Sequence, residues 1–526
     1  MRVLVCDPIS QKGIDVLTSA GDVAVDVKLK LTEDQIVEII AEYDAVVVRS
    51  ETKITKRIIE AADRLKAIGR AGVGVDNIDV EAATRKGVVV VNAPEGNTIA
   101  AAELTVALIL AIARNVGSAN LSLKGGKWDR SKYTGIELKG KTLGILGLGK
   151  IGSEVAKRAR AFDMTVIAYD PYASVEKAKS LGVTVTDLET VFRQSDFITV
   201  HMPKTKDTYR MISTDQFAIM KDGVRIVNCA RGGIIDEQAL CEAIQSGKVA
   251  AAGLDVFEKE PCTDSPLFAL DQVTATPHLG ASTKEAQVNV AIDVAYDILR
   301  VLRGEAVSAA VNIPAVKQEM MAIFEPYLNL VEKMGGYLGQ TIGNRIEKVA
   351  ITFKGDVAKY DVTPLTTTLL KGLLKHALEE SVNYVNAPHV AKARGIQVIE
   401  AKTPDVQDYA VQICVVVETD QGKRQVTGTL LRNKPRFVSI DGYDMDMAPE
   451  GHMLVVPHTD KPRIIGQLGT IIGEHNVNIA GMHLGRKDFG GNAVAILTID
   501  GPVPAVVLTD LAKIDGVADV KYVNLG

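Results

Sequence analysis

Strand and helix signals alternate through the first 280 residues, and this alternation constrains the fold more than any other feature. Short β-branched runs are separated by helical patterns, which is typical of βαβ units and parallel sheets. The runs fall into two series, so we predict an α/β protein with two doubly wound parallel-sheet domains. The predicted strands are 2–6, 45–48, 67–70 and 88–92 in the first series, and 142–146, 165–169, 197–201, 224–229, 249–255 and 273–276 in the second.

Two long helical patterns stand outside the alternation. Residues 98–114 lead out of the first series, and residues 282–303 follow the last strand of the second. We predict that both connect the sheets and that the second returns the chain to the first domain. The first domain would then be discontinuous, with residues 1–97 and 283–310 on either side of a second domain of residues 98–282.

The rest of the chain has a different character, and its 526 residues exceed what one core usually organises. Residues 311–447 combine a helical pattern at 365–386 with β-rich stretches, which predicts an α+β domain without a catalytic cluster. Residues 448–526 follow a βαββαβ order, which predicts a ferredoxin-like fold. The β-rich stretches of the α+β domain are 346–353, 409–419 and 425–441.

The composition argues against several classes of function. Lys and Arg number 60 against 65 Asp and Glu, whereas nucleic-acid-binding proteins usually carry a basic excess. The five cysteines are scattered without a CxxC pair, which argues against a disulfide framework or zinc ribbon and fits a reducing compartment. No apolar run reaches the roughly 18 residues of a membrane span, and the chain opens with a strand-like run instead of a signal peptide. We expect a cytoplasmic protein without a nucleic-acid, membrane or metal partner.

A Gly-x-Gly-x-x-Gly run consists of Gly147, Gly149 and Gly152, between a predicted strand and an amphipathic helical pattern. Asp170 ends the next predicted strand, 18 positions beyond Gly152. Glycines permit a tight turn and close approach to a pyrophosphate, whose charge the helix N-terminus stabilises. A carboxylate at Asp170 would accept hydrogen bonds from the adenosine ribose and repel a 2′-phosphate. The run therefore predicts a Rossmann domain that binds NAD in preference to NADP.

Candidates for acid–base chemistry follow strands of the second series, at the carboxyl ends where open α/β sheets bind ligands. Alcohol oxidation needs a base for the hydroxyl proton and a cation that holds an acid group and polarises the carbonyl. Histidine serves as the base near neutral pH, and a carboxylate partner fixes its tautomer. Arg231, His278 and either Glu258 or Glu260 supply these residue types.

Five runs resemble the D-isomer-specific 2-hydroxyacid dehydrogenases: AGVGVDNID at 71–79, the glycine run with Asp170, NCARGGIIDE at 228–237, LDVFEKEP at 254–261 and TPHLGAST at 276–283. The resemblance covers essentially the whole chain and is closest to the long members that oxidise 3-phosphoglycerate in serine synthesis. It implies that His278 accepts the substrate proton, that Glu260 orients it, and that Arg231 holds the substrate carboxylate and C2 oxygen. It also implies a homo-oligomer, either a dimer or a tetramer.

The same resemblance implies further contacts to cofactor and substrate. For NAD these are Lys150 and Ile151 at the pyrophosphate turn, Cys229, Ala230 and Asp255 on the nicotinamide side, and Gly280 beside His278. For 3-phosphoglycerate they are Arg49 and Arg70 at the phosphate, Val73, Gly74 and Asn97 at the carboxylate, and Arg130 reaching in from the partner subunit.

The last segment resembles an ACT domain, a regulatory module that binds amino acids at subunit interfaces. The resemblance implies L-serine as an effector held by His458, Asp460 and Asn478. Arg463 departs from the pattern, which usually has Gly after the proline at this point. Residues 311–447 resemble the intervening domain of the longest family members, with no site assigned.

Two other functions remain open on these residues. A glyoxylate or hydroxypyruvate reductase would share the catalytic set but would not need Arg49 and Arg70. An NAD-sensing binding protein of the same fold would keep the glycine run and use the cofactor as a signal.

Overall fold

The computed structural model describes residues 1–305, 307, 309–313, 318–343, 345–377, 382–406 and 408–526. The first domain has a five-stranded parallel sheet in the order β2-β1-β3-β4-β5. Its central strand β3 is buried along its whole length because helices cover both faces of the sheet. The elements are β1 (Arg2–Val5), α1 (Gln11–Thr18), β2 (Ala24–Val27), α2 (Glu33–Ile39), β3 (Ala45–Val48), α3 (Lys56–Ala61), β4 (Ala67–Arg70), α4 (Val80–Lys86) and β5 (Val89–Asn92).

The second domain has a seven-stranded parallel sheet in the order β12-β11-β10-β9-β6-β7-β8. Every strand predicted for the two series is present, and the ends differ by at most one residue. The sequence does not predict β2 and β8, because edge strands this exposed carry no apolar run. The elements are α5 (Thr98–Ala113), α6 (Val116–Lys124), β6 (Thr142–Leu146), α7 (Lys150–Ala161), β7 (Thr165–Tyr169), α8 (Val175–Ser180), β8 (Thr184–Val185), α9 (Leu188–Gln194), β9 (Phe197–Val200), α10 (Thr214–Ile219), β10 (Val224–Asn228), α11 (Glu237–Gln245), β11 (Val249–Leu254) and β12 (Val273–Ala275).

The helix after β12, α12 (Lys284–Arg303), carries the chain back to the first sheet. Val294 and Ile298 of this helix pack in the core of the first domain, where a Cβ on Gly69 of β4 would lie 2.5 Å from Val294 Cγ1. Ala310 bridges to β5, and the Asn312 side chain accepts a hydrogen bond from a β5 N–H, so the first domain continues slightly past residue 310.

The described residues contain no single helix long and apolar enough to cross a membrane. The bent pair α5 and α6 meets the criterion by length and composition only.

The third domain has a six-stranded sheet in the order β14-β13-β15-β16-β17-β18 with helices packed on it. The sequence does not predict its longest helix, α13, because Pro326 and several glycines interrupt the helical pattern. These glycines allow close packing, since a Cβ on Gly335 would lie 2.3 Å from the carbonyl oxygen of Leu369 in α14. The elements are α13 (Gln318–Thr341), β13 (Ile346–Gly355), α14 (Thr363–Ala377), α15 (Ala387–Ala393), β14 (Gln397–Thr403), β15 (Val411–Thr419), β16 (Gly422–Leu431), β17 (Lys434–Ile440) and β18 (Tyr443–Met447).

One prediction for this domain is wrong in detail. Of the helix predicted over 365–386, only the part up to Ala377 is helical as α14: residues 378–381 lie outside the described part of the chain, residues 382–386 are not helical, and α15 begins at Ala387. The β-rich stretch at 425–441 forms a hairpin of β16 and β17, whose turn has Arg432 and Asn433 at positive φ.

The C-terminal domain is the predicted βαββαβ unit, with a four-stranded antiparallel sheet in the order β20-β21-β19-β22. One face of this sheet is covered by its own two helices. The other face, with Met453 and Val455, shares a core with the third domain, so these two domains pack as one unit. The elements are β19 (His452–Thr459), α16 (Ile464–Glu474), β20 (Ile479–Arg486), β21 (Asn492–Ile499), α17 (Ala505–Leu511) and β22 (Lys521–Asn524).

Candidate active site

The three predicted glycines lie at the turn between β6 and α7, and each position favours glycine for a different physical reason. Gly147 has φ of +96°, and a Cβ there would lie 2.5 Å from the carbonyl oxygen of His201. A Cβ on Gly152 would lie 2.1 Å from the carbonyl oxygen of Gly147, so helix and strand pack too closely for a side chain. A Cβ on Gly149 would meet nothing within 4 Å, and no side chain caps the start of α7. The open turn and the uncapped N–H groups fit a pyrophosphate.

Asp170 follows β7 and faces this turn. Its Oδ2 accepts a hydrogen bond from Leu148 N–H (2.8 Å), and its Oδ1 accepts one from Tyr172 N–H (2.8 Å). These two bonds fix the carboxylate beside the glycine turn, and each oxygen keeps a lone pair for a ribose hydroxyl. Asp170 therefore organises the turn as well as offering the acceptor that the sequence predicts.

The two residues that begin α7 have different surroundings. Lys150 Nζ lies 2.5 Å from Oε1 of Glu95, which belongs to the loop after β5 in the first domain. This hydrogen bond lowers the pKa of the Glu95 carboxyl. Ile151 packs against the core of the second domain. The Lys150–Glu95 pair thus spans the cleft between the two sheets at the edge of the pyrophosphate turn.

The loop after β10 presents Arg231 to the cleft. Asn228, buried at 2% exposure, shapes this loop: its Oδ1 accepts from Ala230 N–H (2.9 Å) and its Nδ2 donates to the Arg231 carbonyl (2.9 Å). The Arg231 guanidinium donates through Nε to Asp76 of the first domain (3.2 Å). A Cβ on Gly74 would lie 2.1 Å from Arg231 Nη2, so the guanidinium lies directly against the loop after β4.

His278 and Glu260 form the hydrogen-bonded pair that acid–base chemistry requires. His278 Nδ1 lies 2.6 Å from Glu260 Oε2, and Glu260 Oε1 accepts from Phe257 N–H (3.0 Å). Burial acts to raise the pKa of Glu260, but these hydrogen bonds and the nearby Arg231 outweigh it and hold the pKa below its usual range. Glu258, the alternative partner, instead bonds Arg210 at 3.2 Å. With Nδ1 engaged as donor, Nε2 of His278 is the atom left to accept a proton.

Asp255 holds the loop that carries His278. Its fully buried carboxylate accepts hydrogen bonds from Thr276 Oγ1 (2.6 Å), Leu279 N–H (2.7 Å) and Gly280 N–H (2.8 Å). His278 itself has φ of +55°, a conformation that this set of bonds maintains. The resemblance assigns Asp255 to the nicotinamide, and the structure adds that it positions the base.

A cluster of arginines lies beside this pair. Arg70, at the end of β4, has a largely buried guanidinium whose Nε has no hydrogen-bond partner. Burial, together with repulsion from Arg231 and Arg49, lowers the pKa of Arg70 to about 10. A Cβ on Gly72 would lie 1.7 Å from Arg70 Nη1, so glycine is needed where the guanidinium crosses the loop. Cations held together against repulsion, one of them unpaired, form a site for an anion.

Asp7 and Asn77 fix the loop of Arg49, and neither role is among those predicted from the sequence. The buried Asp7 carboxylate accepts from Arg49 N–H (2.6 Å) and from Thr52 Oγ1 (2.5 Å). Asn77 Nδ2 donates to the carbonyls of Arg49 (3.0 Å) and Thr52 (2.6 Å). Both side chains stabilise a loop conformation that directs Arg49 to the same strand ends as Arg70.

The remaining predicted substrate residues divide into two groups. Asn97 begins α5 without capping it, and its buried Oδ1 has no partner, so the amide is available to a ligand. The Val73 carbonyl accepts from Asn92 Nδ2 (2.5 Å), which holds the glycine loop in place. Arg130 lies on an exposed stretch near Trp128, away from these contacts in a single chain.

Two side chains near the cofactor turn, the buried Cys229 and the half-buried His201, are uncharged at neutral pH. Burial raises the pKa of the Cys229 thiol to about 12, so Cys229 is not a nucleophile. Burial lowers the pKa of His201, at the end of β9, to about 3, and its Nε2 pairs with Thr199 Oγ1 at 3.1 Å.

The three predicted effector residues do not meet within one chain. Asp460 N–H donates to the carbonyl of Gly491, at the start of β21, whereas Asn478 Nδ2 donates to Asp500 at the opposite end of that strand. The eight residues of β21 span about 25 Å. Nδ1 of the buried His458 lies 3.1 Å from its own strand's Val456 carbonyl oxygen. One small ligand could touch Asp460 and Asn478 only if two chains contributed.

Comparisons with known proteins identify the family of the chain. A model of the D-isomer specific 2-hydroxyacid dehydrogenase NAD binding domain matches residues 106–280, and one of the D-3-phosphoglycerate dehydrogenase intervening domain matches residues 323–441. D-3-phosphoglycerate dehydrogenase of Synechocystis sp. is 48% identical over 526 residues, covering 100% of this chain and 95% of the relative. That of Archaeoglobus fulgidus is 47% identical over 528 residues, covering 100% of both. The chain belongs to the D-3-phosphoglycerate dehydrogenase family.

Solved structures confirm the fold class. A D-lactate dehydrogenase from Aquifex aeolicus, crystallised with NAD and lactic acid, is 27% identical with a TM-score of 0.54, covering 60% of this chain and 100% of that one. A glyoxylate reductase from Paecilomyes thermophila is 31% identical with a TM-score of 0.55, covering 59% and 98%. The enzyme is therefore an NAD-dependent D-2-hydroxyacid dehydrogenase with an α/β Rossmann domain, as the sequence predicts.

Proposed function

We propose that this enzyme oxidises D-3-phosphoglycerate to 3-phosphohydroxypyruvate, the first step of L-serine biosynthesis. The observation that carries the proposal is the cluster of Arg49, Arg70 and Arg231 beside the His278–Glu260 pair. A 2-hydroxy acid without phosphate needs one cation for its carboxylate, and Arg231 supplies it. The buried, unpaired Arg70 is explained by a second anionic group at the other end of the substrate.

The residues divide the chemistry among them. His278 Nε2 accepts the C2 hydroxyl proton, and the Glu260 carboxylate stabilises the positive charge that forms on the imidazole ring. Arg231 binds the substrate carboxylate and polarises the C2 oxygen, with Asn97 and the N–H groups of Val73 and Gly74 at the same end. The glycine turn and Asp170 would hold NAD, which when bound would supply the hydride acceptor for C2.

The four domains have different roles in this function. Residues 1–97 and 283–310 bind the substrate, residues 98–282 bind NAD, residues 311–447 form the intervening domain, and residues 448–526 form a regulatory ACT domain. The Arg231–Asp76 and Lys150–Glu95 contacts, which join the first two domains, support a site built between them. We place the enzyme in the cytoplasm, where its free cysteines would stay reduced.

The test measures NADH formation from 3-phosphoglycerate and from unphosphorylated D-glycerate. Arg70→Ala removes one charge-assisted contact and should lower kcat/KM for phosphoglycerate by about 10- to 100-fold, with little change for glycerate. Arg49→Ala should act in the same direction. Arg57→Ala is the control, because this exposed arginine of α3 pairs with Asp34 away from the cleft.

Equal losses with both substrates would show that Arg70 is structural. A wild type that prefers glyoxylate or hydroxypyruvate to the phosphorylated acid would favour the reductase instead. Binding of NADH without turnover of any 2-hydroxy acid would favour a sensor.

We further propose that L-serine binds the C-terminal domain of a homo-oligomer and lowers activity. Asp460 would accept from the ammonium group, and Asn478 of a second chain would complete the site, since one chain separates the two by the length of β21. Serine should inhibit the wild type at fixed substrate but not Asn478→Ala. Absence of serine binding by calorimetry would leave this domain an assembly module.

A further inference from the structure

Glu237, the first residue of α11, lies against the loop that carries Glu260. Its Oε1 accepts a hydrogen bond from the backbone N–H of Glu258 (2.5 Å). In the described part of the chain, this is the only backbone N–H of residues 256–261 that bonds to another element. The Phe257 N–H is bonded within the loop, to Glu260 itself. The half-buried Glu237 carboxylate therefore anchors the middle of the loop.

A second contact to the same loop is weaker. The Glu258 side chain pairs with Arg210 at 3.2 Å, and the Arg210 side chain is 45% exposed. Exposed ion pairs contribute little, because solvent screens the charges and two long side chains lose rotamer freedom. A backbone N–H that donates to a half-buried carboxylate makes a charge-assisted bond from a donor that is already fixed. The Glu237 contact is therefore the main anchor of the loop.

The anchored loop packs backbone to backbone against the loop after β10. A Cβ on Gly232 would lie 1.7 Å from the carbonyl oxygen of Phe257. The loop after β10 has its own support, because the buried Asn228 side chain bonds to Ala230 N–H and to the Arg231 carbonyl. Removing the anchor should therefore release the loop of the general base's partner and leave Arg231 in place.

A carboxylate at this position is electrostatically unfavourable. Burial raises the pKa of Glu237, and repulsion from Glu258 and Glu260 adds to the effect, against the Glu258 N–H and Arg210. Arg210 also pairs with Glu258 and with Asp236 (3.5 Å), so this one guanidinium is shared among three carboxylates. A neutral side chain would avoid the repulsion. The negative charge of Glu237 also acts on Glu260 and on the base that Glu260 holds.

We propose that Glu237 is a positioning residue of the dehydrogenase reaction, which anchors the loop so that Glu260 stays within hydrogen-bond distance of His278 Nδ1. The inference rests on the proposed roles of His278 and Glu260. Glu237 acts on them through the backbone of Glu258. A shift of about 1 Å in a catalytic group can lower a rate about 100-fold, so the anchor should affect turnover more than binding.

Two substitutions in the full-length enzyme separate the hydrogen bond from the charge. Glu237→Gln removes the charge but keeps a carbonyl oxygen that can accept from the Glu258 N–H. Glu237→Ala removes both. Gln238→Ala is the matched control, because Gln238 is the next residue of α11 and its exposed side chain bonds Glu242 (2.7 Å). Steady-state oxidation of 3-phosphoglycerate, NADH binding by fluorescence and thermal unfolding would be measured for each variant.

Glu237→Ala should lower kcat by about 10- to 100-fold, with KM for the substrate and NADH affinity changed by less than about threefold. Glu237→Gln should keep kcat within about threefold of the wild type. Gln238→Ala should behave as the wild type.

The pH profile gives a separate readout for Glu237→Gln. The base must be neutral to accept a proton, so kcat/KM for oxidation rises with pH. A nearby negative charge favours the imidazolium, and its removal should move this rising limb to lower pH by a few tenths of a unit.

Several results would overturn the proposal. Glu237→Ala could keep wild-type kcat, or it could lose kcat, NADH affinity and unfolding temperature together, which would show a general structural role. An equal loss of kcat in Glu237→Gln and Glu237→Ala, with an unchanged pH profile, would also contradict it.

Glu260→Gln, assayed in parallel, distinguishes this failure from failure of the proposed function. Wild-type turnover in Glu260→Gln would refute the acid–base pair and, with it, the positioning role. Turnover that is lost in Glu260→Gln but kept in Glu237→Ala would refute the positioning role alone.

Discussion

Glu260→Gln tests the proposed base most directly, because the structure assigns each carboxylate oxygen a donor. Oε2 faces His278 Nδ1 at 2.6 Å, and Oε1 accepts from Phe257 N–H at 3.0 Å. Glutamine has only one carbonyl oxygen, so one of these two donors must face its NH2 group. Either Phe257 N–H loses its acceptor, or the NH2 group donates to His278 Nδ1.

The second outcome moves the imidazole proton to Nε2, the atom that has to accept the substrate proton. The first outcome leaves the tautomer correct but unpairs a backbone N–H and removes the negative charge that stabilises the imidazolium. General acid–base catalysis is worth about 10²–10⁴-fold, so kcat should fall within that range. KM for phosphoglycerate should change little, because the arginines that bind it remain.

Steady-state NADH formation measures both constants, and Glu258→Gln is the matched control. Glu258 is two positions away and pairs with Arg210, without contact to His278, so its loss should change kcat only a few-fold. If Glu260→Gln kept near wild-type turnover while Glu258→Gln lost it, the roles assigned to the two glutamates would be reversed. A fall in both variants would indicate that the loop itself had been disturbed.

Asp170→Ala should raise KM for NAD and reduce discrimination against NADP, measured by kcat/KM with each cofactor; unchanged discrimination would refute the ribose contact. Folding lowers the pKa of His201 from 6.5 to about 3. As the pH falls through this window, the unfolded chain therefore binds a proton at His201 and the folded protein does not. His201→Gln should therefore lose less stability than the wild type between about pH 7 and pH 5 in urea unfolding. Arg463 has φ of +80°, a left-handed conformation that is strained for a residue with a side chain. Arg463→Gly should therefore stabilise the C-terminal domain by about 1 kcal/mol in thermal unfolding. A lower stability of the variant would show that contacts of the Arg463 side chain compensate for the strain.

The parts of the fold and site that could be predicted from sequence are those whose cause is local. The inner strands of the two parallel sheets are buried on both faces and form apolar runs in the sequence, so their ends were predictable to within one residue. Gly147 and Asp170 lie in a strand–turn–helix–strand segment, and the number of residues between them is typical of segments that bind a dinucleotide. His278, Glu260 and Arg231 follow successive strands, and parallel strands bring such loops to one edge of a sheet.

Other parts depend on contacts between distant residues, which no local pattern records. Asp7 holds the loop of Arg49 from 42 residues away, and an Asp after a strand has many ordinary explanations. The helix α13 contains Pro326 and glycines that argue against a helix until α14 is seen packed against it. The separation of Asp460 from Asn478 likewise follows from sheet order, since the residues are only 18 apart in sequence.

The two ion pairs across the cleft connect substrate binding with cofactor binding. Arg231 pairs with Asp76, and Lys150 pairs with Glu95, so each of these two cations of the second domain contacts a carboxylate of the first domain. Both cations also lie where an anionic ligand is expected: the substrate carboxylate at Arg231 and the pyrophosphate at Lys150. A ligand that binds either cation competes with the protein carboxylate, and exposed pairs of this kind are worth only about 0–1 kcal/mol. The two ion pairs can therefore hold the domains together when no ligand is bound, and breaking them costs little free energy when a ligand binds. This suits a cleft that has to admit both the substrate and the cofactor.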